Sequence, residues 1–184
     1  AFLDSLHRSG CASEANGWAP RFLTLWDGGA LAGAVPLYVK SHSYGEYVFD
    51  WAWADAYGRH GLEYFPKLLA AVPFTPATGA RLLARDAQAR VTLAQALLAT
   101  AKGSNVSSLH VLFPSDKDAE ALRGHGLLER RGVQFHWRNA AYATFEDFLG
   151  SLAHDKREKI RQERRRVAAE GVALRRLTGR EATS

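Results

Sequence analysis

Between Ser43 and Leu83 the chain reads SYGEYVFDWAWADAYGRHGLEYFPKLLAAVPFTPATGARLL, a stretch that limits the choice of fold more than any other. It holds four of the six tyrosines and half of the six prolines, with Trp51 and Trp53 between them. Charged residues sit among those rings at Glu46, Asp50, Asp55, Arg59, Lys67 and Arg81. A plain core strand or surface helix has no use for that mixture, whereas a pocket wall combines apolar area with a few placed polar groups. The alternative is an aromatic-rich core with its polar edges in solvent, because single polar residues beside aromatics are ordinary surface chemistry.

Locally, Tyr47, Val48 and Phe49 favour a strand. Asp50 suits the cap of a short helix through Trp51, Ala54, Asp55 and Arg59, closed by Gly61. Tyr64 to Val72 reads as a buried segment of either type. Pro73 and Pro76 then keep the backbone extended or turned, since each fixes its own φ and disfavours helix in the residue before it. Arg81, Leu82 and Leu83 resume a strand, so acid, aromatic and hydroxyl groups flank a rigid turn.

The rest of the chain follows simpler patterns. Phe2, Leu3 and Leu6 recur at helical spacing up to Gly10. Arg21–Trp26 and Leu31–Lys40 are extended runs joined through Asp27, Gly28 and Gly29, a hairpin signal, and Pro36 predicts an edge strand or a bulge in the second run. Asp86 to Lys102 is a helix with Val91, Ala94, Leu98 and Ala101 on one face. Val106–Phe113 is a strand, Ser115 and Asp118 form a capping box for a helix over 116–123, and Leu127–Trp137 reads as paired strands around Gly132. Thr144 and Asp147 open a further helix, with Phe145, Phe148, Leu149 and Leu152 on one face, that runs to Ala169. An extended segment, Val172–Leu177, follows it.

At 184 residues and 47% hydrophobic content the chain suits one domain, or one domain and part of a second. No apolar run approaches the roughly 18 residues of a membrane span. With a lone Cys11 this predicts a soluble, cytoplasmic protein. The chain starts at Ala1 and has no methionine, which predicts a piece of a longer protein. The formal charge of +5 is concentrated between Asp155 and Arg166, where seven Lys or Arg face three Asp or Glu. That helix is either a solvated face or, through residues 156–166, a surface for tRNA.

The string SYGEYVFDWAWADAY, with PKLLAAVPFTPATGARLL behind it and GVQFHWRN and KREKIRQERRRV much later, resembles the bacterial FemAB-like family of peptidoglycan biosynthesis or recognition proteins. That family is assigned to the GNAT acyltransferase superfamily. The resemblance implies an α/β (α+β) fold: a GNAT-like mixed, mostly antiparallel sheet flanked by helices over residues 1–140. Its tandem architecture implies that 141–184 opens a second, truncated GNAT-like unit. A short echo agrees, Phe2-Leu3-Asp4-Ser5-Leu6 recurring as Phe148-Leu149-Gly150-Ser151-Leu152. The apolar face at Phe145, Phe148, Leu149, Leu152, Ile160 and Val167 would then be incompletely covered, and two copies could pair through the 144–167 helix as a homodimer.

The resemblance also implies an activity, transfer of an acyl or aminoacyl group to an amine of a cell-wall precursor or other small acceptor. Such transfer needs a base for the amine, donors for the carbonyl oxygen and a place for the acyl carrier. Asp50, Asp55 and Glu46 are candidate bases, and Tyr57 or Tyr64 could protonate the leaving group. Backbone N–H groups near Thr78 and Gly79 could receive the carbonyl oxygen, with Trp51, Trp53, Lys67, Thr75, Arg81 and Asn139 as substrate contacts. Asp50, Trp53, Asp55, Tyr57, Thr78 and Arg81 are expected to converge on one concave site. His136 is either a substrate edge or a structural ring.

Acetyl-CoA users of the superfamily carry Q/R-x-x-G-x-G/A ahead of a helix, whose N-terminus holds the pyrophosphate. Here that place reads TGARLLARDAQA, with one glycine and with Asp86 near the helix start. No cofactor is firmly implied, and acyl-CoA and aminoacyl-tRNA both stay open as acyl donor. The seven histidines are dispersed without ligand spacing, which predicts no metal site. A non-catalytic GNAT-shaped module that recognises a peptidoglycan-like or nucleotide ligand is the other function class.

Overall fold

The computed structural model describes residues 2–179 and 181. The chain divides into two compact units, Ala1–Arg131 and Gly132–Ser184.

The first unit opens with helix α1 (Phe2–Arg8) and strands β1 (Trp18–Pro20), β2 (Leu23–Asp27), β3 (Ala30–Val35) and β4 (Leu37–Lys40). Helix α2 (Trp51–Arg59), β5 (Lys67–Ala70), β6 (Leu83–Ala84), α3 (Ala87–Lys102), β7 (Leu109–Val111) and α4 (Asp116–Arg123) follow. One sheet has the order β1-β4-β5-β7 and the other β2-β3-β6. Every strand pair is antiparallel except β5–β7. This is an α+β arrangement, antiparallel-rich sheets flanked by helices.

The β2–β3 hairpin turns through Gly28 and Gly29, both at positive φ, where a side chain would be strained. Pro36 does not make an edge strand. It separates β3 from β4, and each becomes an inner strand of a different sheet. The missing N–H falls in the gap between two ladders, where no partner asks for it, while the Pro36 carbonyl accepts from Ala71 N at 3.3 Å.

One core gathers Val35, Leu37, Leu68 and Ala70 from the strands with Leu93, Ala94 and Leu97 of α3. Burying each leucine there stabilises the unit by about 1.5–3 kcal/mol. The face that α3 buries is Ala89, Leu93, Ala94 and Leu97, rotated from the expected one, and Val91 and Leu98 are only half-buried. Leu93 packs closely over Gly33 of β3, where a Cβ would stand 2.7 Å from Leu93 Cδ1. A second cluster, Ala12, Trp18, Tyr38, Leu69, Ala71 and Leu112, alternates with the first along β4 and β5 and therefore lies on the opposite face of the sheet.

Several local expectations change. Tyr47–Phe49 is not a strand, because Tyr47 sits at φ 57°. Asp118 does not complete a capping box. Ser115 Oγ accepts from Asp118 N, but the Asp118 carboxylate is buried and takes the N–H groups of Arg81 (2.6 Å) and Leu82 (3.2 Å) and the Nε of Arg90 (3.0 Å). Leu127–Trp137 forms no paired strands; Leu128, Val133 and Phe135 are almost wholly exposed. Alternating apolar residues supply the chemistry of a strand, but a ladder also needs a neighbouring edge.

In the second unit, Thr144 and Asp147 form the expected capping box at the start of α5 (Phe145–Gly150). The helix does not continue to Ala169 unbroken. Ser151 Oγ donates to Phe148 O, Ala153 is extended at φ −57° and ψ 149°, and α6 (His154–Ala169) starts afresh. Arg161 ties the two helices by binding Glu146 at 2.7 Å. Along the expected apolar face Leu149 is buried, Phe148, Leu152 and Ile160 are half-buried, and Phe145 and Val167 are exposed. Val172–Leu177 pairs with no strand. No helix among the described residues is long and apolar enough to cross a membrane.

Candidate functional site

The antiparallel register aligns Trp18 of β1 with Lys40 of β4, and Lys40 with Lys67 of β5. Three strands thus bring an indole and two ammonium groups into one cross-strand row. Both lysines are fully buried. Lys40 Nζ lies 3.7 Å from the centroid of the Trp18 ring and donates to the carbonyl of Tyr44 at 3.4 Å. Charges so far from water need partners, and Lys67 finds all of its own in one loop. Its Nζ donates to Ser43 Oγ at 2.9 Å, Glu46 Oε2 at 2.9 Å and Asp50 Oδ2 at 2.6 Å.

The partners of those groups extend the cluster. Tyr64 OH donates to Asp50 Oδ2 at 2.8 Å and stands 3.5 Å from Nε2 of His110, which is itself 2.9 Å from Ser108 Oγ. Tyr57 packs edge-on against Tyr64, with ring centroids 5.2 Å apart. Glu46 Oε1 and Asp50 Oδ1 are buried without a hydrogen-bond partner.

One ammonium separates the two carboxylates electrically. Burial pushes the Glu46 carboxyl above the usual carboxylate range, and the Lys67 hydrogen bond offsets only part of that. Burial also works to raise Asp50, but there the hydrogen bonds from Lys67 and Tyr64 prevail and hold it below the usual range. Burial, with the repulsion of Lys67 added, takes the Lys40 ammonium down to about 8, and the same two causes take His110 down to about 4. Burial and the Asp50 charge push the Tyr64 phenol up. The same ammonium thus holds two buried carboxyls whose pKa values are driven in opposite directions.

Outward from this cluster the loop and α2 present aromatic surface. Tyr44, Tyr47, Phe49, Trp51 and Trp53 are all exposed, and Tyr44 and Trp51 lean together with centroids 5.5 Å apart. Asp50 occupies the N-cap position of α2 as expected, but its carboxylate makes no cap hydrogen bond because Lys67 and Tyr64 hold it. Asp55 is exposed on the same helix.

The expected site residues therefore fall into separate places. Glu46, Asp50, Lys67 and Tyr57 meet around Tyr64, with Trp51, Trp53 and Asp55 on the adjoining α2. Thr75, Thr78, Gly79 and Arg81 do not join them by any hydrogen bond or ion pair. Gly79 bridges Pro114, beyond the end of β7. Arg81 is buried, and its guanidinium donates to the carbonyls of Leu112 (2.8 Å) and Ala77 (2.5 Å), which leaves it a structural brace. Thr75 Oγ1 accepts from Ala77 N within its own turn. His136 and Asn139 belong to the second unit. His136 is exposed beside Gln134, and Asn139 lines a groove of about 480 Å³ with Trp137, Tyr142, Thr144, Phe145 and Phe148.

Ser43, Lys40 and His110 escaped the sequence reading. The spacing of Ser43, Glu46 and Asp50, three and four residues apart, was the available signal. That spacing acquires meaning only with its partner Lys67, which lies 17 residues beyond Asp50. No curated protein and no solved structure matches the chain. Residues 1–184, its whole length, match the model of the FemAB-like family, described as peptidoglycan biosynthesis/recognition, and the chain belongs to that family.

Proposed function

We propose that the chain acts as an N-acyl or N-aminoacyl transferase on an amine of a peptidoglycan precursor, with residues 43–64 as its acceptor side. The observation that carries this reading is the exposed aromatic surface of the loop and α2, with the Asp55 carboxylate open on the same helix and the loop anchored by two buried carboxylates on Lys67. Exposed aromatic area of this kind marks a binding surface, and ring faces suit the C–H faces of sugar rings. In the transfer, the acceptor nitrogen attacks the donor's ester or thioester carbonyl. The nitrogen's proton passes to Asp55, the exposed carboxylate of α2, and the hydroxyl or thiol leaves as it is protonated, with the half-buried Tyr57 of the same helix as the donor group. Asp50, committed to Lys67 and Tyr64, and Glu46, buried on the same ammonium, serve as anchors of the loop.

For the acyl carrier, the start of α3 supports aminoacyl-tRNA over acyl-CoA. Asp86 caps that helix by accepting from Ala89 N at 2.7 Å, so a carboxylate already occupies the end that would favour a pyrophosphate. The exposed cations of α6, Lys156, Lys159 and Arg165, fit an RNA backbone and give binding that weakens with salt.

The test is to incubate the protein with a soluble muropeptide and with either aminoacyl-tRNA or acyl-CoA, and to follow the acceptor's mass. A product that Asp55→Asn slows by about 100-fold supports the proposal. A second reading, recognition without turnover, draws on the complete burial of Lys67, which seals the cluster. Muropeptide binding with no product from any donor would establish that reading instead.

A further inference from the structure

We infer that Lys67 is the positioning residue of the aromatic surface, a buried ammonium that ties down the loop Ser43–Asp50 at three side chains and, through it, the start of α2. The argument rests on which residues of the loop point where. Ser43, Glu46 and Asp50 are buried and all three bind Lys67 Nζ; Tyr44, Tyr47 and Phe49, between them, are exposed. An ammonium has three hydrogens, and here one loop of eight residues takes all three. The loop has no helix or strand over these residues to hold it.

Its backbone confirms that something else does. Tyr47 sits at φ 57°, a conformation that a bulky residue keeps only when its surroundings enforce it. Gly45 is at φ 81°, and a Cβ there would meet the Phe74 ring at 2.6 Å. Lys40 adds a second tie at the Tyr44 carbonyl. Asp50 is both the last partner of Lys67 and the N-cap residue of α2, so the same ammonium sets where Trp51 and Trp53 begin. Removing the clamp frees the aromatic side chains to leave the arrangement that a ligand meets, without changing one of them.

Hydrogen exchange of the full chain tests the clamp without any ligand. Lys67→Met leaves two buried carboxylates uncompensated, so the informative variant is Lys67→Met combined with Glu46→Gln and Asp50→Asn, which removes all three charges at near-constant volume. Amides in peptides covering 43–50 and 51–59 are expected to exchange at least about tenfold faster than in the unsubstituted chain, with α3 peptides unchanged. Exchange over 43–50 within about twofold of the unsubstituted chain would overturn the inference. So would equal acceleration in α3, which would make Lys67 a support of the whole core. The ligand arm rests on the proposed acceptor role: affinity for a soluble muropeptide should fall about tenfold in the triple variant. If the unsubstituted chain binds no muropeptide, the acceptor role fails, and the exchange result still decides the clamp.

Discussion

Lys67 Nζ and Asp50 Oδ2 stand 2.6 Å apart, with neither side chain open to solvent, and the pair joins a strand to the residue that starts a helix. A buried pair of this kind gains little over apolar packing, but breaking it from one side is expensive, since the remaining charge has no water to turn to. Lys67→Met is therefore expected to cost about 3–5 kcal/mol of unfolding free energy in urea titrations. Asp50→Asn should cost less, because Glu46 still compensates the ammonium. The double variant should be no worse than Lys67→Met alone, and full additivity would show that the two side chains do not act as a unit.

Acid should unfold the protein partly through His110. Burial, then the Lys67 charge, takes this imidazole down to about 4, so the unfolded chain binds its proton first as pH falls. The unfolded state holds more protons between about 6.5 and 4. The stabilisation is fully present above about 6.5 and is lost toward pH 4, at up to about 1.4 kcal/mol per pH unit. His110→Gln should flatten that part of the stability curve. Glu46, whose pKa is raised, works in the opposite direction: its contribution is present at low pH and lost as pH rises.

Asp118 should matter for stability and not for ligands. Its carboxylate satisfies two backbone N–H groups and Arg90 in the interior. Asp118→Ala leaves buried donors without an acceptor and should cost at least about 3 kcal/mol. At temperatures where the variant stays folded, muropeptide affinity should match that of the unsubstituted chain. A specific loss of affinity would return Arg81, which Asp118 orients, to the list of substrate contacts.

The aromatic face should show the reverse pattern. Trp51 and Trp53 are exposed, so replacing either by alanine should change stability by no more than about 0.5 kcal/mol. Affinity for a soluble muropeptide should fall about tenfold for each, as expected when an interface aromatic is removed. Calorimetric titration reads both the affinity and its heat.

Some of this was written locally in the sequence and some was not. The Gly28-Gly29 hairpin, the start of α3 at Asp86, the capping box at Thr144 and the family strings are short-range signals, legible because glycine conformation and helix starts depend on neighbours within a few residues. The same logic marked residues 43–83 as unusual and drew attention to Glu46, Asp50, Tyr57 and Lys67. Tertiary structure decided what each group does. Arg81 looked like a substrate contact until Leu112 and Ala77 supplied carbonyls for its guanidinium, and Asp118 looked like a capping residue until the Arg81 and Leu82 amides came within reach. Asp50 reads as a candidate base in the sequence, and strand pairing is what sets Lys67 2.6 Å from its carboxylate. Leu127–Trp137 had the alternation of a strand but no edge to pair with. Propensity is a property of a few adjacent residues, whereas the role of a charged side chain depends on which partner folding delivers from elsewhere in the chain.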